Sequence, residues 1–138
     1  MEKMGEFAPT GISAEGLLDH FKKNKKIGVV DVRDTDYGEF GVIKGAIHFP
    51  YFSITDASIA DLLKNTLLNH KYDKLVCYCK FGRARSVNAA HEISKVAREL
   101  NKDDKDPVTF LKGGITTFVM TPGTKEYLEH TDSYTFDI

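Results

Sequence analysis

The stretch Leu75-Val76-Cys77-Tyr78-Cys79-Lys80-Phe81-Gly82-Arg83-Ala84-Arg85-Ser86-Val87 decides the fold. Lys74 to Cys79 has the composition of a strand buried on both faces of a parallel sheet. From Ser86 to Asn101 the apolar residues Val87, Ala90, Ile93, Ala97 and Leu100 recur at helical spacing, so an amphipathic helix follows directly. A turn that leaves the C-terminal end of a parallel strand and opens into a helix aims its backbone N–H groups at one spot. The helix dipole favours negative charge at the same spot. The turn from Cys79 to Ser86 is therefore expected to form an anion cup with a thiol at one end and a guanidinium at the other.

Each fixed position of Cys79-x-x-Gly82-x-x-Arg85-Ser86 has a physical task. Gly82 permits a backbone turn that a side chain would block. Arg85 can bind two oxygens of a tetrahedral oxyanion at once, and Ser86 can donate a hydrogen bond to a thiolate. The helix terminus and the arginine both favour the ionised sulfur, which is expected at the mouth of the cup as a nucleophile. Cys77, mid-strand beside Val76, is expected to be a small buried hydrophobe. It also starts a Cys-x5-Arg string ending at Arg83, but that frame would put Cys79 inside the loop and no glycine at the turn. Lys80 and Arg83 are either solvated or raise the potential around the cup.

Working outward, Ile27 to Val32 is a second doubly buried strand, Ala46 to Phe49 a shorter one, and Val108 to Leu111 a fourth. Arg33 to Gly45, with Gly38, Gly41 and Gly45 among polar residues, reads as one long connection with turn chemistry. Helices are expected over Ser13 to Asn24, with Ser13 as N-cap and Leu17, Leu18 and Phe21 on one face, and over Thr55 to Asn69, where Ile59, Leu62, Leu63 and Leu67 recur. A short helix, Ile115 to Val119, precedes Pro122 and Gly123. Strands alternating with helices imply an α/β fold with a central, mainly parallel sheet. The whole chain, 1–138, is read as a single domain with a core of about 13–119 and a C-terminal extension of about 120–138.

Composition agrees with this and narrows the function classes. The 138 residues are 41% apolar and 28% charged, ordinary globular usage for one domain that buries about two-thirds of its unfolded surface. Nineteen basic against twenty acidic side chains leave a net charge of −1, so no net field draws the chain to nucleic acid or an anionic membrane. Lys22, Lys23, Lys25 and Lys26 are read as solvated charges at a helix C-terminus. With no apolar run of membrane-spanning length, no apolar stretch in Met1 to Thr10 and two cysteines one residue apart, the protein is expected in the cytoplasm or nucleus. His20, His70, His91 and His130 lack metal-ligand spacing, and no metal is expected.

The chain resembles the rhodanese-like superfamily, in particular the branch of the M-phase-inducer dual-specificity phosphatases and the eukaryotic arsenate reductases. Val29-Val30-Asp31-Val32-Arg33 and Gly41-Val42-Ile43-Lys44-Gly45-Ala46-Ile47-His48-Phe49-Pro50 look like the two family segments before the active loop. Leu111-Lys112-Gly113-Gly114-Ile115, with Phe118, looks like the one after it. Together they cover most of residues 13 to 119. Sulfurtransferases of this fold typically have Cys-x4-Arg, and the phosphatase and arsenate-reductase branch Cys-x5-Arg, as here.

The resemblance implies a cysteine-dependent phosphatase or an arsenate reductase, with Cys79 and Arg85 catalytic. The oxyanion would be held by Lys80, Phe81, Gly82, Arg83, Ala84, Arg85 and Ser86. The substrate would be a phosphorylated protein, a small phosphate ester or arsenate. No cofactor is implied beyond glutathione and glutaredoxin as external reductant for arsenate. A persulfide-carrying sulfurtransferase and a phosphate-recognising binding module are the alternatives. The chain departs from the family pattern at several points. Tyr78 precedes the nucleophile where the phosphatases carry His, Lys80 and Ala84 replace loop glutamates, and Val32 stands where some relatives keep a protective cysteine. Asp34, Asp36 and Glu39 lie on a loop that can approach the cup. His48, at a strand end, is expected to be structural.

Overall fold

The computed structural model describes residues 10–101 and 107–129. The N-terminal stretch, His130 and the remainder of the C-terminal extension lie outside the described residues. Strands β2 (Ile27–Asp31) and β5 (Lys74–Tyr78) pair in parallel along their whole length at the centre of the sheet. Strand β6 (Val108–Leu111) pairs with β5, and β1 (Gly11–Ile12) with β6. On the other side β4 (Ile47–His48) pairs with β2, which completes a parallel order β1-β6-β5-β2-β4.

Alternation along the central strands divides the core in two. Val30, Leu75 and Cys77 pack with α2 (Asp56–Lys64) and α3 (Arg85–Asn101), through Ile59, Leu63, Ala89, Ala90 and Ile93. Val29, Val76 and Tyr78 point to the opposite face, against α1 (Ala14–Lys22) and α4 (Gly114–Met120), through Leu17, Ile115 and Phe118. Each strand is thus apolar on both faces, which is why β2 and β5 read as unbroken apolar runs. The Ser13 Oγ accepts from the Gly16 N–H at 3.0 Å, and Thr55 and Ser58 form a capping box at the start of α2. Among the described residues no helix is long and apolar enough to cross a membrane.

Three sequence expectations need correction. Helix α2 ends at Lys64, not Asn69, because Asn65 Nδ2 donates to the Asp61 carbonyl and Thr66 Oγ1 to the Leu62 carbonyl, competing with the helical ladder. Helix α1 likewise stops at Lys22, two residues before Asn24, whose φ of 55° is left-handed. Finally, the connection from Arg33 to Gly45 is not all turn. Val42–Ile43 forms β3, antiparallel to β7 (Leu128–Glu129) in the C-terminal extension.

Candidate active site

Strand β5 ends at Tyr78, and α3 begins at Arg85. Between them the chain turns back on itself through Gly82, whose φ is +70°. A side chain there would meet Leu111 O at 2.7 Å and the amides of Gly113 and Gly114 at 2.8 Å. The loop is pressed against the segment that follows β6, and that segment takes up its carbonyls. Ile115 N donates to Cys79 O at 3.0 Å, while Thr116 donates to Lys80 O through both its N–H (3.2 Å) and its Oγ1 (3.1 Å). With the carbonyls engaged on this side, the N–H groups from Lys80 to Ser86 are left over. Among the described residues no protein group accepts from them. Unspent N–H donors at a helix start are a chemistry that can hold an anion.

The sulfur of Cys79 lies 3.2 Å from the Ser86 Oγ. The thiol donates in that contact when protonated, and the hydroxyl donates once the sulfur is ionised. Cys79 is 3% exposed and belongs to the apolar cluster beneath α2 and α3, so the residue is buried and not at an open mouth as its sequence position suggested. Val32 is buried in the same cluster. Cys77 is fully buried two residues earlier on β5, and burial pushes its thiol up to about 12, as befits a core residue.

Arg85 does not stand free over the cup. Its Nη1 donates to Asp36 Oδ1 at 2.8 Å and its Nη2 to Asp36 Oδ2 at 2.7 Å, with Asp34 Oδ2 3.7 Å from Nη1. The hydrogen bond from Arg85 outweighs burial and holds the Asp36 carboxyl down at about 2, and the carboxylate in turn raises the guanidinium. Lys80 Nζ pairs with Glu39 Oε1 at 2.8 Å and lies over the Phe40 and Phe81 rings, and Arg83 lies over Phe81. The cations Lys80, Arg83 and Arg85 are thus matched in number by Asp34, Asp36 and Glu39 on the loop after β2. The cup carries little net charge apart from its amides.

Sequence reasoning missed what holds that acidic loop in place. Asp31 and Arg33 form a fully buried ion pair, with Nη2 2.7 Å from Oδ2 and Nε 2.9 Å from Oδ1. The remaining guanidinium donors go to the carbonyls of Glu39 and, at 2.8 Å, of Gly41. His48 Nε2 donates to the Arg33 carbonyl at 2.8 Å while its ring stacks on Tyr37 at 3.8 Å, a structural role as expected. Tyr78 accepts from the buried Ile43 N–H at 3.1 Å and lies beneath Arg33. One sequence signal was present, since Asp-x-Arg at the end of a doubly buried strand demands mutual neutralisation.

Comparison with known proteins places the chain in a family. The model described as Rhodanese-like domain matches residues 13–121. An As-Sb reductase from Leishmania major superimposes with a TM-score of 0.72 at 28% sequence identity, over 83% of this chain and 79% of that one. The yeast protein Ygr203w, described as a protein tyrosine phosphatase of the rhodanese family, gives a TM-score of 0.71 at 20% identity, over 93% and 94%. At that identity the likeness is one of fold. No curated protein matches the chain by sequence.

Proposed function

Because the chain belongs to the rhodanese-like domain family and places five residues between Cys79 and Arg85, we propose that it is a cysteine-dependent enzyme of tetrahedral oxyanions, a phosphatase or an arsenate reductase. The observation that carries this reading is the run of amides from Lys80 to Ser86 with no acceptor among the described residues, in the turn that follows a sulfur 3.2 Å from the Ser86 hydroxyl. Amides converging on one volume stabilise charge on the equatorial oxygens of an ion under in-line attack. Arg85 adds a charged pair of donors from the side.

Both chemistries share a first step. The Cys79 thiolate attacks the central atom, and the Ser86 hydroxyl stabilises the ionised sulfur beforehand. With a phosphate monoester, an S–P bond forms as the P–O bond to the alcohol breaks, and the departing oxygen takes its proton from solvent water. Water then hydrolyses the phosphocysteine and releases inorganic phosphate. With arsenate, an S–As bond forms as water departs. Glutathione or glutaredoxin then supplies two electrons, arsenic leaves as As(III), and the thiols end as a disulfide. Asp36, held near 2, carries no proton at neutral pH and is not the group that protonates a leaving alcohol.

The test compares the protein with Cys79→Ser on an aryl phosphate, on arsenate with glutathione and glutaredoxin, and on thiosulfate with cyanide. We expect turnover in one of the first two, abolished by Cys79→Ser and lowered about 10²-fold or more by Arg85→Lys. Turnover of thiosulfate alone would assign a sulfurtransferase instead, and turnover that survives Cys79→Ser would remove the proposed nucleophile.

A further inference from the structure

The bidentate contact between Asp36 and Arg85 has two opposite interpretations. In one, the carboxylate sits where the substrate oxyanion belongs and must be displaced. In the other, it grips the guanidinium from the far side. A guanidinium has five N–H donors in a rigid plane, arranged along two usable edges. Asp36 takes the end formed by Nη1 and Nη2. Among the described residues the Nε–H donates to no protein group, so the edge formed by Nε and the second Nη2 hydrogen is unspent. That edge offers the same two-pronged geometry to an oxyanion.

The surroundings of Asp36 favour the second interpretation, because the acid is fixed before it meets the arginine. Its Oδ1 accepts from the Asp34 N–H at 3.1 Å, and Asp34 Oδ1 is itself held by the Phe52 N–H at 3.1 Å. On the other side Tyr37 is stacked on His48, and the buried Arg33 binds the carbonyls of Glu39 and Gly41. A displaceable competitor would sit on a loop free to swing. This one is tied down on both sides of Asp36.

We propose that Asp36 is a positioning residue, a fixed carboxylate that orients the Arg85 guanidinium end-on so that its Nε edge is presented to the oxyanion. The proposal rests on the oxyanion reading of the cup. An arginine side chain loses much rotameric freedom when it binds, and Asp36 removes that freedom in advance. The low carboxyl pKa agrees, since it keeps the grip intact across the neutral range.

The sign of the effect makes this testable. Asp36→Asn removes a negative charge beside an anion site, which by Coulomb's law alone tightens anion binding. Positioning requires the reverse. Binding of inorganic phosphate and of arsenate is measured calorimetrically on the full chain for the wild type, Asp36→Asn, Asp36→Glu, Arg85→Lys and the Asp36→Asn/Arg85→Lys pair, with urea unfolding of each in parallel. We expect Asp36→Asn to weaken binding about tenfold, Asp36→Glu to recover part of it, and Asp36→Asn to add nothing in the Arg85→Lys background. Equal or tighter binding by Asp36→Asn, or a loss of the same size in both backgrounds, overturns the positioning role and leaves the oxyanion reading standing. A wild type that binds neither ion overturns both.

Discussion

Replacing Gly114 by alanine would place a Cβ 2.5 Å from the carbonyl oxygens of both Cys79 and Lys80, and 2.6 Å from the Lys80 carbonyl carbon. Those atoms cannot retreat cheaply. Ile115 N, Thr116 N and Thr116 Oγ1 hold the same two oxygens on the other side. The residue also has φ of +64°, which costs a non-glycine residue about 1–2 kcal/mol. Overpacking against fixed atoms adds about 1–3 kcal/mol, for a total of about 2–5 kcal/mol. Gly45 supplies the control: its φ is +79°, but nothing lies within 4 Å of an added Cβ, so Gly45→Ala bears only the conformational cost. With a slope of about 2 kcal/mol per molar urea, the unfolding midpoint falls by about 1–2.5 M for Gly114→Ala and about 0.5–1 M for Gly45→Ala. Turnover of the folded Gly114→Ala protein falls as well, because the clash is with the cup itself. If the two variants unfold at the same urea concentration, the close packing of the post-β6 segment on the cup is wrong.

Tyr78→Phe leaves the buried Ile43 N–H without an acceptor and lowers stability by about 1–3 kcal/mol in urea unfolding, with β3 the first element to lose amide-exchange protection. Asp31→Asn strands the fully buried Arg33 charge, and the loss is about 3–5 kcal/mol by the same measurement. The Asp36 carboxyl falls from an ordinary 3.8 to about 2 on folding, so its stabilisation is complete above about pH 4 and disappears as the pH drops toward 2. Comparing the acid-unfolding curves of the wild type and Asp36→Asn tests this: the difference between them shrinks as the pH falls through that window.

The parts of this fold that were legible in the sequence are those where burial imposes a period. Strands β2, β5 and β6 and helix α3 each satisfy two packed faces or one long apolar stripe, so composition alone locates them to within a residue or two. The turn between β5 and α3 was legible because Gly82 interrupts the residues between an unbroken apolar strand and an amphipathic helix, and its φ of +70° is the left-handed backbone that such a turn needs. Strands β1, β3 and β7 are two residues each, too short to show alternation, and their partners are remote in sequence. The acidic loop is the instructive case. Asp34, Asp36 and Glu39 follow no period, and as isolated charges they resemble any solvated turn. Only the Asp31–Arg33 pair, which fixes the loop from beneath, turns them into partners of Arg85 and Lys80.

The carbonyls at the start of the cup are held by donors that lie more than thirty positions further along the polypeptide. On a ribosome the turn between β5 and α3 therefore emerges well before the clamp that shapes it, and its carbonyls wait until Ile115 and Thr116 have been synthesised and docked. The shape of that turn is completed only by the chain's later third, and a fragment ending ahead of β6 would carry Cys79 without the donors that hold the carbonyls beside it.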